Sequence, residues 1–322
     1  MRKIFNKYLP KAGIQTLSAG HTNLGEGPMW HPDFKKFFYT DIFGEKICSY
    51  DPKDTTQATY NLSGLAAPGQ AVNVSSLAPT KSGLACSFND QGFGKIDLPS
   101  LKLEFFGSQP CAQTQVGLSR FNDGKCDPRG RYVAGIYTDK IKGTHFYILD
   151  SKAKAPRVLI EDIGCANGSS WSLDGKTMYY VDTFNPPAYA ADYNLENGTL
   201  SNRRVFMEPS DYVGGFFDGA TVDKDGYIWW AIFAGGRVLR IDPRDGSIER
   251  TIDFEADAGI QSPTCVAFGG EDYRTMIVTS ECWQPGQVDP RKGKLQNGAI
   301  AVINFDESEN IQGVAPAYFN EN

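Results

Sequence analysis

Short runs of β-branched and aromatic residues, bounded by Gly, Asp, Pro and Asn, recur along the chain, whereas helical 3.6-residue periodicity is hard to find. Six segments share one plan, in which a short apolar strand leads through a polar turn into a second strand. These segments are GPMWHPDFKKFFYTD, SSLAPTKSGLACS, GKCDPRGRYVAG, SSWSLDGKTMYYVD, ATVDKDGYIWWA and CVAFGGEDYRTMIVTS. The pattern predicts an all-β protein built from repeats.

The turns of these segments are evenly spaced. Successive turns are 48, 48, 45, 51 and 47 residues apart, measured between Asp33, Lys81, Arg129, Asp174, Asp225 and Asp272. Most units continue into a third strand and a further turn, and a unit of about four strands has the size of a propeller blade. We therefore predict an all-β, six-bladed β-propeller that forms one domain over residues 1–322. The early segment GIQTLSAG is expected to close the ring by pairing near AIAVINFD or VAPAYF.

Charge and hydropathy exclude two kinds of partner. The 322 residues include 38 Asp and Glu against 32 Lys and Arg, and the net charge of -6 has the wrong sign for neutralising nucleic-acid phosphates. The longest apolar run, Tyr227–Ala234, is far shorter than the ~20 residues of a membrane-spanning helix. We predict no nucleic-acid partner and no membrane partner.

The cysteines and the N-terminal sequence indicate the compartment. The number of cysteines is odd, no CxxC pair is present, and the N-terminal residues contain no unbroken apolar stretch typical of a secretory signal. The seven cysteines are Cys48, Cys86, Cys111, Cys126, Cys165, Cys265 and Cys282. We expect a cytoplasmic protein without a disulfide framework.

Equivalent positions of the repeats converge on the axis of a propeller, because the innermost strand of each blade lines the central channel. An oxygen-donor residue lies seven residues before each of four turn positions. These residues are Glu26, Asn122, Asn167 and Asp218. Two carboxylates and two amides on a narrow axis leave negative charge unpaired, and a divalent cation would offset it. The three histidines are scattered, and hard oxygen ligands favour Ca²⁺, Mg²⁺ or Mn²⁺, although Zn²⁺ also accepts carboxylates. The pattern predicts a metal centre and leaves the metal open.

Two residues beside this ring have the chemistry to hold a polar substrate. Arg120 and Asn122, in RFNDG, are two positions apart on an extended segment, so that both side chains can point the same way. Asn122 can donate to and accept from a substrate hydroxyl, and Arg120 offers a planar cation. The sequence has no GxSxG, no GxGxxG in a βαβ unit and no P-loop, which disfavours the corresponding chemistries.

Several strings of this chain resemble the SMP-30/gluconolactonase/regucalcin-like (LRE-like) family, and they occur in the family's order. The strings are LGEGPMW, RFNDGKCDPRGRYVAG, ANGSSWSLDGKTMYYVD, FDGATVDKDGYIWWA, GGRVLRIDP, CVAFGG and IVTS. Each string alone is a weak signal, but together they cover nearly the whole chain and are highly specific.

The resemblance implies a six-bladed propeller with one divalent metal ion in its channel, which is Ca²⁺, Zn²⁺, Mn²⁺, Mg²⁺ or Fe²⁺. It implies that Glu26, Asn167 and Asp218 hold the metal and that Asp218 also acts as general acid/base. It further implies that Arg120 and Asn122 bind the substrate. The activity expected from the family is hydrolysis of aldonic acid lactones such as gluconolactone.

One segment departs from the family pattern. Many members have a longer lid with a substrate-facing Glu, whereas this chain has only TDKIKG, Thr138–Gly143, with Lys140 near that Glu position. Lys140 is therefore a candidate substrate-binding residue, and the short lid affects the substrate preference that we expect.

Two alternatives stay open beside the metal-dependent sugar lactonase. Similar propellers with oxygen-ligand sites hydrolyse organophosphates, so a phosphotriesterase is one alternative. A non-catalytic Ca²⁺-binding or interaction propeller is the other, and RFNDG beside the axial acids argues against it. For the lactonase, we expect a small-molecule sugar lactone as the partner and a monomer or weak homodimer.

Overall fold

The computed structural model describes residues 7–8, 13–17, 21–65, 72–89, 91–98, 100–106, 118–152, 154–212, 214–282 and 296–322. Within these ranges the chain forms six β-sheets, one for each predicted repeat. Two short strands, β1 (Lys7–Tyr8) and β2 (Ile14–Thr16), precede the repeats. The remaining strands follow in chain order, four in each of the first five blades and three in the last.

Blades 1 to 3 comprise β3 (Gly25–His31), β4 (Lys36–Asp41), β5 (Lys46–Tyr50) and β6 (Gln57–Asn61); β7 (Val74–Pro79), β8 (Gly83–Phe88), β9 (Gly92–Asp97) and β10 (Lys102–Phe105); and β11 (Ser119–Cys126), β12 (Tyr132–Thr138), β13 (Thr144–Leu149) and β14 (Arg157–Ile163). Blades 4 to 6 comprise β15 (Ala166–Trp171), β16 (Thr177–Asp182), β17 (Ala188–Asn194) and β18 (Thr199–Met207); β19 (Phe216–Val222), β20 (Ile228–Phe233), β21 (Arg237–Ile241) and β22 (Ile248–Asp253); and β23 (Pro263–Gly269), β24 (Thr275–Ser280) and β25 (Ala301–Asn304).

The blades form a closed ring. The first strand of each blade packs against the first strand of the next, and β23 of blade 6 packs against β3 of blade 1. Each of the six predicted turn residues lies in the loop between the first and second strands of its blade. The predicted all-β, six-bladed propeller is therefore confirmed, whereas one domain over the whole of residues 1–322 stays a prediction.

Strand β2 completes blade 6. It pairs antiparallel with β25, and Ile14 lies opposite Ile303. Of the two partners predicted for GIQTLSAG, the structure selects AIAVINFD. The other segment, VAPAYF, runs across one end of the ring instead, where the Phe319 amide donates to the Pro79 carbonyl at 2.9 Å. Strand β1 lies parallel to β22, at the outer edge of blade 5.

Apolar side chains fill the spaces between neighbouring blades. One cluster, for example, joins Val181 and Phe206 of blade 4 to Ile232 and Leu239 of blade 5. Four tryptophans are buried in such clusters: Trp30, Trp171, Trp229 and Trp230. This packing holds the first strands around the central channel.

The described helices are short: α1 (Phe254–Ala258) and two 3₁₀ helices, Pro209–Asp211 and Glu307–Glu309. In the part of the chain that the structure describes, no helix has the length and apolar character needed to cross a bilayer. The described cysteines are all free thiols, namely Cys48, Cys86, Cys126, Cys165, Cys265 and Cys282. Cys111 lies outside the described residues.

Candidate active site

Each first strand has an irregular register with the second strand of its blade. Such bulges change the direction of side chains relative to regular strand alternation. In the four blades that carry the predicted axial residues, the shift lies between Glu26 and Met29, between Phe121 and Gly124, between Asn167 and Ser170, and between Phe217 and Ala220. The bulges therefore occur at or beside the residues predicted to face the channel.

The structure brings the predicted axial residues together. Glu26, Asn122, Asn167 and Asp218 line one cavity of about 390 Å³, and Arg120 lines it as well. The four axial side chains belong to residues that are buried in the folded chain. The cavity lies where the first strands begin, at the end of the channel away from the C-terminal crossing segment.

A directed chain of hydrogen bonds runs through the floor of this cavity. Arg120 Nη1 donates to Asn122 Oδ1 at 2.6 Å, and Asn122 Nδ2 donates to Asn167 Oδ1 at 2.8 Å. Asn167 Nδ2 donates to Thr183 Oγ1 at 2.8 Å, and that hydroxyl donates to the Phe217 carbonyl at 2.9 Å. The chain links blades 3, 4 and 5, and it sets the orientation of both amides.

Asn122 uses its donors within the protein. Besides its bond to Asn167, Asn122 Nδ2 donates to the Ala166 carbonyl at 3.0 Å. An amide nitrogen has two hydrogens, so both are engaged before any ligand enters. The structure therefore gives Asn122 a role in orienting Asn167, beside its predicted contact with substrate.

Burial raises the pKa of the carboxyl groups in the cavity. Burial, reinforced by the charge of Asp123, raises the pKa of Glu26 to about 8. Burial and the charge of Glu26 raise the pKa of Asp218 well above its ordinary value. The Arg120 guanidinium lowers the pKa of both groups without cancelling these effects. The site thus holds acidic groups whose ionised forms need a further cation.

Glu281 is a cavity residue that sequence reasoning missed. It lines the same cavity from blade 6, and burial raises its pKa to about 7, while Arg120 opposes that rise. Its backbone amide donates to the Ser262 carbonyl at 3.0 Å. The repeat register was an available signal, because Glu281 directly follows β24 as Ile42 and Thr183 follow β4 and β16, the strands that end in Asp41 and Asp182.

Those two aspartates have a structural task. Asp41 accepts hydrogen bonds from the backbone amides of Asn23 and Leu24 at 3.0 and 3.1 Å. Asp182 accepts from the amides of Gly164 and Cys165 at 3.0 and 2.9 Å. Both carboxylates therefore tie the end of a second strand to the loop that enters its blade.

Two further residues lie away from the cavity. Lys140 is exposed, its ammonium group lies 3.4 Å from the Asp139 carboxylate, and it does not line the cavity among the described residues. The structure thus does not place Lys140 with the other candidate residues. Asp123, which follows Asn122 in the sequence, accepts a hydrogen bond from the Ser169 amide at 3.3 Å. It lines a second cavity, at the C-terminal end of the channel.

The donor set suits a hard divalent cation. Glu26 and Asp218 supply carboxylates, and the hydrogen bond to Thr183 leaves the Asn167 oxygen as an acceptor. Within the described residues, no three His, Cys, Asp or Glu side chains converge as a metal site. A cation at this position therefore depends on the Asn167 amide oxygen as a third protein ligand.

The chain is similar to known proteins in sequence and in fold. Regucalcin of Xenopus laevis is 32% identical over 304 residues, which cover 92% of this chain and 94% of that protein. A solved structure from Agrobacterium tumefaciens, described as a calcium-binding protein, regucalcin, has a TM-score of 0.83 at 23% identity, covering 98% of this chain and 99% of that chain. A gluconolactonase from Xanthomonas campestris has a TM-score of 0.68 at 15% identity, covering 91% and 89%.

At these identities the two solved structures show a shared fold. The family assignment comes from the sequence profile of the SMP-30/gluconolactonase/LRE-like region, which matches residues 24–281 and thus spans both the axial residues and Glu281. The chain belongs to the SMP-30/gluconolactonase/LRE-like family.

Proposed function

We propose that this protein is a metal-dependent lactonase, which hydrolyses the cyclic ester of a lactone to the open hydroxy acid. One observation carries the proposal: two buried carboxylates, Glu26 and Asp218, line the same cavity as an amide oriented by its neighbours, Asn167. The name of the family supports the same reaction class, and aldonic acid lactones are the substrates predicted from the sequence.

A divalent cation held by Glu26, Asn167 and Asp218 would supply Lewis-acid polarisation of the lactone carbonyl. The burial of these residues suits that role, because electrostatic interactions are stronger where water is excluded.

Asp218 is the proposed general acid/base. Its carboxylate takes a proton from the attacking water as the water oxygen bonds to the carbonyl carbon. When the carbon to ring-oxygen bond breaks, Asp218 returns that proton to the ring oxygen. The product is the hydroxy acid, and Asp218 is left ionised as before.

Arg120 is the proposed orienting group for the substrate. Among the described residues that line the cavity it is the single cation. Its Nη1 is fixed by bonds to the Phe121 carbonyl at 3.0 Å and to Asn122 Oδ1 at 2.6 Å. A guanidinium held in this way presents its remaining donors in a defined direction.

The test is reconstitution of the metal-free protein. Ca²⁺, Mg²⁺, Mn²⁺, Zn²⁺ or Fe²⁺ is added singly, and acid release is followed from a panel of lactones and from a fluorophosphate. We expect lactone opening with at least one metal, and a loss of about 10²-fold or more in Asp218→Asn with unchanged circular dichroism. Asp54→Asn, at an exposed turn, is the matched control and keeps normal turnover.

Each alternative predicts a different outcome. Normal turnover by Asp218→Asn would end the proposed mechanism. Hydrolysis of the fluorophosphate without lactone opening would favour the phosphotriesterase. Metal binding without turnover of either compound would favour a non-catalytic cation-binding propeller.

A further inference from the structure

The cavity changes from charged side chains at its floor to aromatic side chains at its mouth. Five aromatic residues line it, and three are strongly exposed although they are phenylalanines: Phe43 is 46% exposed, Phe184 43% and Phe216 51%. Most phenylalanines are buried in folded proteins, so several exposed at one cavity mark a place where apolar surface is available to a ligand. We call Phe43, Tyr137, Phe184, Phe216 and Phe233 the aromatic rim.

The repeat architecture places the rim around the mouth. Phe43 and Phe184 each follow a strand-ending aspartate by two residues, in blades 1 and 4, which lie opposite each other in a six-bladed ring. In blade 5, Phe216 and Phe233 are directly paired where β19 begins and β20 ends. Apolar rings therefore face the entrance from several sides.

One wall of the mouth is a continuous row of planar groups. The rings of Tyr137 and Phe184 make an edge-to-face contact with centroids 5.7 Å apart. The guanidinium carbon of Arg120 lies 4.7 Å from the Tyr137 centroid and 5.7 Å from the Phe43 centroid. These contacts hold the rings in place and put an apolar surface next to the cation.

The amide and hydroxyl donors of the floor are already engaged, so the groups left for a ligand there are the carboxylates and the remaining donors of Arg120. Both amide hydrogens of Asn122 are used within the protein, and so is the hydroxyl hydrogen of Thr183. Asn167 Nδ2 donates to Thr183. Against the phenylalanine rings of the rim, by contrast, a hydroxyl finds no hydrogen-bond partner and loses its bonds to water at a cost of about 1–3 kcal/mol, so each hydroxyl placed there lowers affinity.

We propose, on the basis of the lactone hydrolysis proposed above, that the substrate is a lactone bearing an apolar alkyl or aryl group. The carbonyl end reaches the floor beside Arg120 and Asp218, and the apolar group contacts the aromatic rim. The volume of about 390 Å³ lies within the range of about 300–1,000 Å³ typical of pockets for drug-sized ligands. The substrate class thus differs from the polyhydroxylated aldonic acid lactones predicted from the sequence.

Two lactones with the same six-membered ring separate these classes. Glucono-δ-lactone carries hydroxyl groups, whereas δ-decalactone carries a pentyl chain. With the reconstituted protein we expect kcat/KM for δ-decalactone to exceed that for glucono-δ-lactone by about tenfold or more, because several methylene groups are buried against the rim.

Variants of the rim test whether these side chains cause the preference. In Phe184→Ala/Phe216→Ala we expect the ratio of the two kcat/KM values to fall by about tenfold. Phe105→Ala is the matched control, because Phe105 is 45% exposed on the outer strand of blade 2 and does not line the cavity. The control keeps the wild-type ratio.

The lactam analogue of δ-decalactone is not hydrolysed under these conditions. Its binding to the metal-free proteins therefore gives a readout that does not depend on turnover. We expect the Kd to rise about tenfold in the double rim variant and to stay unchanged in Phe105→Ala. If neither lactone is opened, the proposed function fails while this titration still tests the rim. A preference for glucono-δ-lactone, or equal lactam binding in wild type and rim variant, would overturn the inference.

Discussion

The side-chain amide of Asn167 donates a hydrogen bond of 2.8 Å to the hydroxyl of Thr183. Thr183 gives its own hydrogen to the Phe217 carbonyl, so it acts toward Asn167 as an acceptor. This fixes the nitrogen of the amide on the Thr183 side and the oxygen on the side where Asn122 donates. Thr183, which is not one of the proposed metal ligands, thus orients one of them.

Replacing Thr183 by Val removes this acceptor at nearly constant volume. We expect Thr183→Val to weaken divalent-cation binding by about 10–100-fold, because the Asn167 nitrogen then loses its hydroxyl acceptor and the amide is oriented less firmly. Thr183→Ser keeps the hydroxyl and restores binding. Calorimetric titration of the metal-free proteins measures both effects, and equal affinities in all three proteins would show that Thr183 has no such role.

The backbone next to Asn167 packs closely against an indole ring, and a glycine at this position makes the contact possible. Gly168 has a φ of +72°, and a Cβ added there would lie 2.4 Å from the Trp230 ring, whose Nε1 donates to the Asp218 carbonyl at 2.7 Å. Gly226 has a similar φ of +86°, but its nearest neighbour, Leu173, is at 3.7 Å. An Ala at Gly226 therefore tests backbone strain alone, whereas an Ala at Gly168 adds steric overlap with the Trp230 ring.

We expect Gly226→Ala to lower the free energy of unfolding by about 1–2 kcal/mol through backbone strain alone. Gly168→Ala should lose a further ~1–3 kcal/mol, because the Trp230 ring must move, and it should also weaken cation binding. Urea denaturation and metal titration of both variants measure these effects. Losses of the same size, with cation affinity intact in both, would refute the coupling of Gly168 to the site.

The sequence predicted the fold because the repeats are marked by local chemistry. Polar turns punctuate apolar strands at near-constant spacing, and the six turn residues all lie between the first and second strands of their blades. Equivalent positions of neighbouring blades lie close together near the axis of the ring. This is why Asn122 and Asn167, 45 residues apart, make a direct hydrogen bond. The structure was needed to choose between two segments as the partner of the closing strand β2, and to show that β1 joins blade 5.

The site was less predictable where side-chain partners decide the outcome. Lys140 was proposed from a lid position in the family, but on this short turn it pairs with Asp139 at the surface. The engagement of Asn122 depends on groups from the next blade, which local sequence does not show. Glu281 and the rim residue Phe184 do occupy repeat positions, and extending the register argument from first strands to second strands would have found them.

The acidity of the cavity makes stability depend on pH in a defined direction. Burial, together with the charge of Asp123, raises the pKa of Glu26 from an ordinary 4.5 to about 8. Between these values the folded metal-free protein retains a proton that the unfolded chain has released, so the free energy of unfolding falls as pH rises. We expect the Tm of the metal-free protein to decrease from about pH 5 to about pH 8.

Cation binding should reverse this trend, because it displaces the retained protons. The increase in Tm caused by a saturating divalent cation should therefore grow over the same pH range. Glu26→Gln has no group that titrates at this position, so its metal-free Tm should fall less steeply. Scanning calorimetry on both proteins supplies the comparison, and identical slopes would mean that Glu26 does not titrate as described.

The most direct measurement is a calorimetric titration of metal-free protein with divalent cations, comparing wild type with four single variants. Glu26→Gln, Asn167→Ala and Asp218→Asn remove the proposed ligands, whereas Glu281→Gln removes a carboxylate of the same cavity outside that set. We predict one cation per chain in the wild type, affinity lost by about a hundredfold in Glu26→Gln and Asp218→Asn, a clear loss in Asn167→Ala, and near-normal affinity in Glu281→Gln. Wild-type affinity in the three ligand variants would contradict the account.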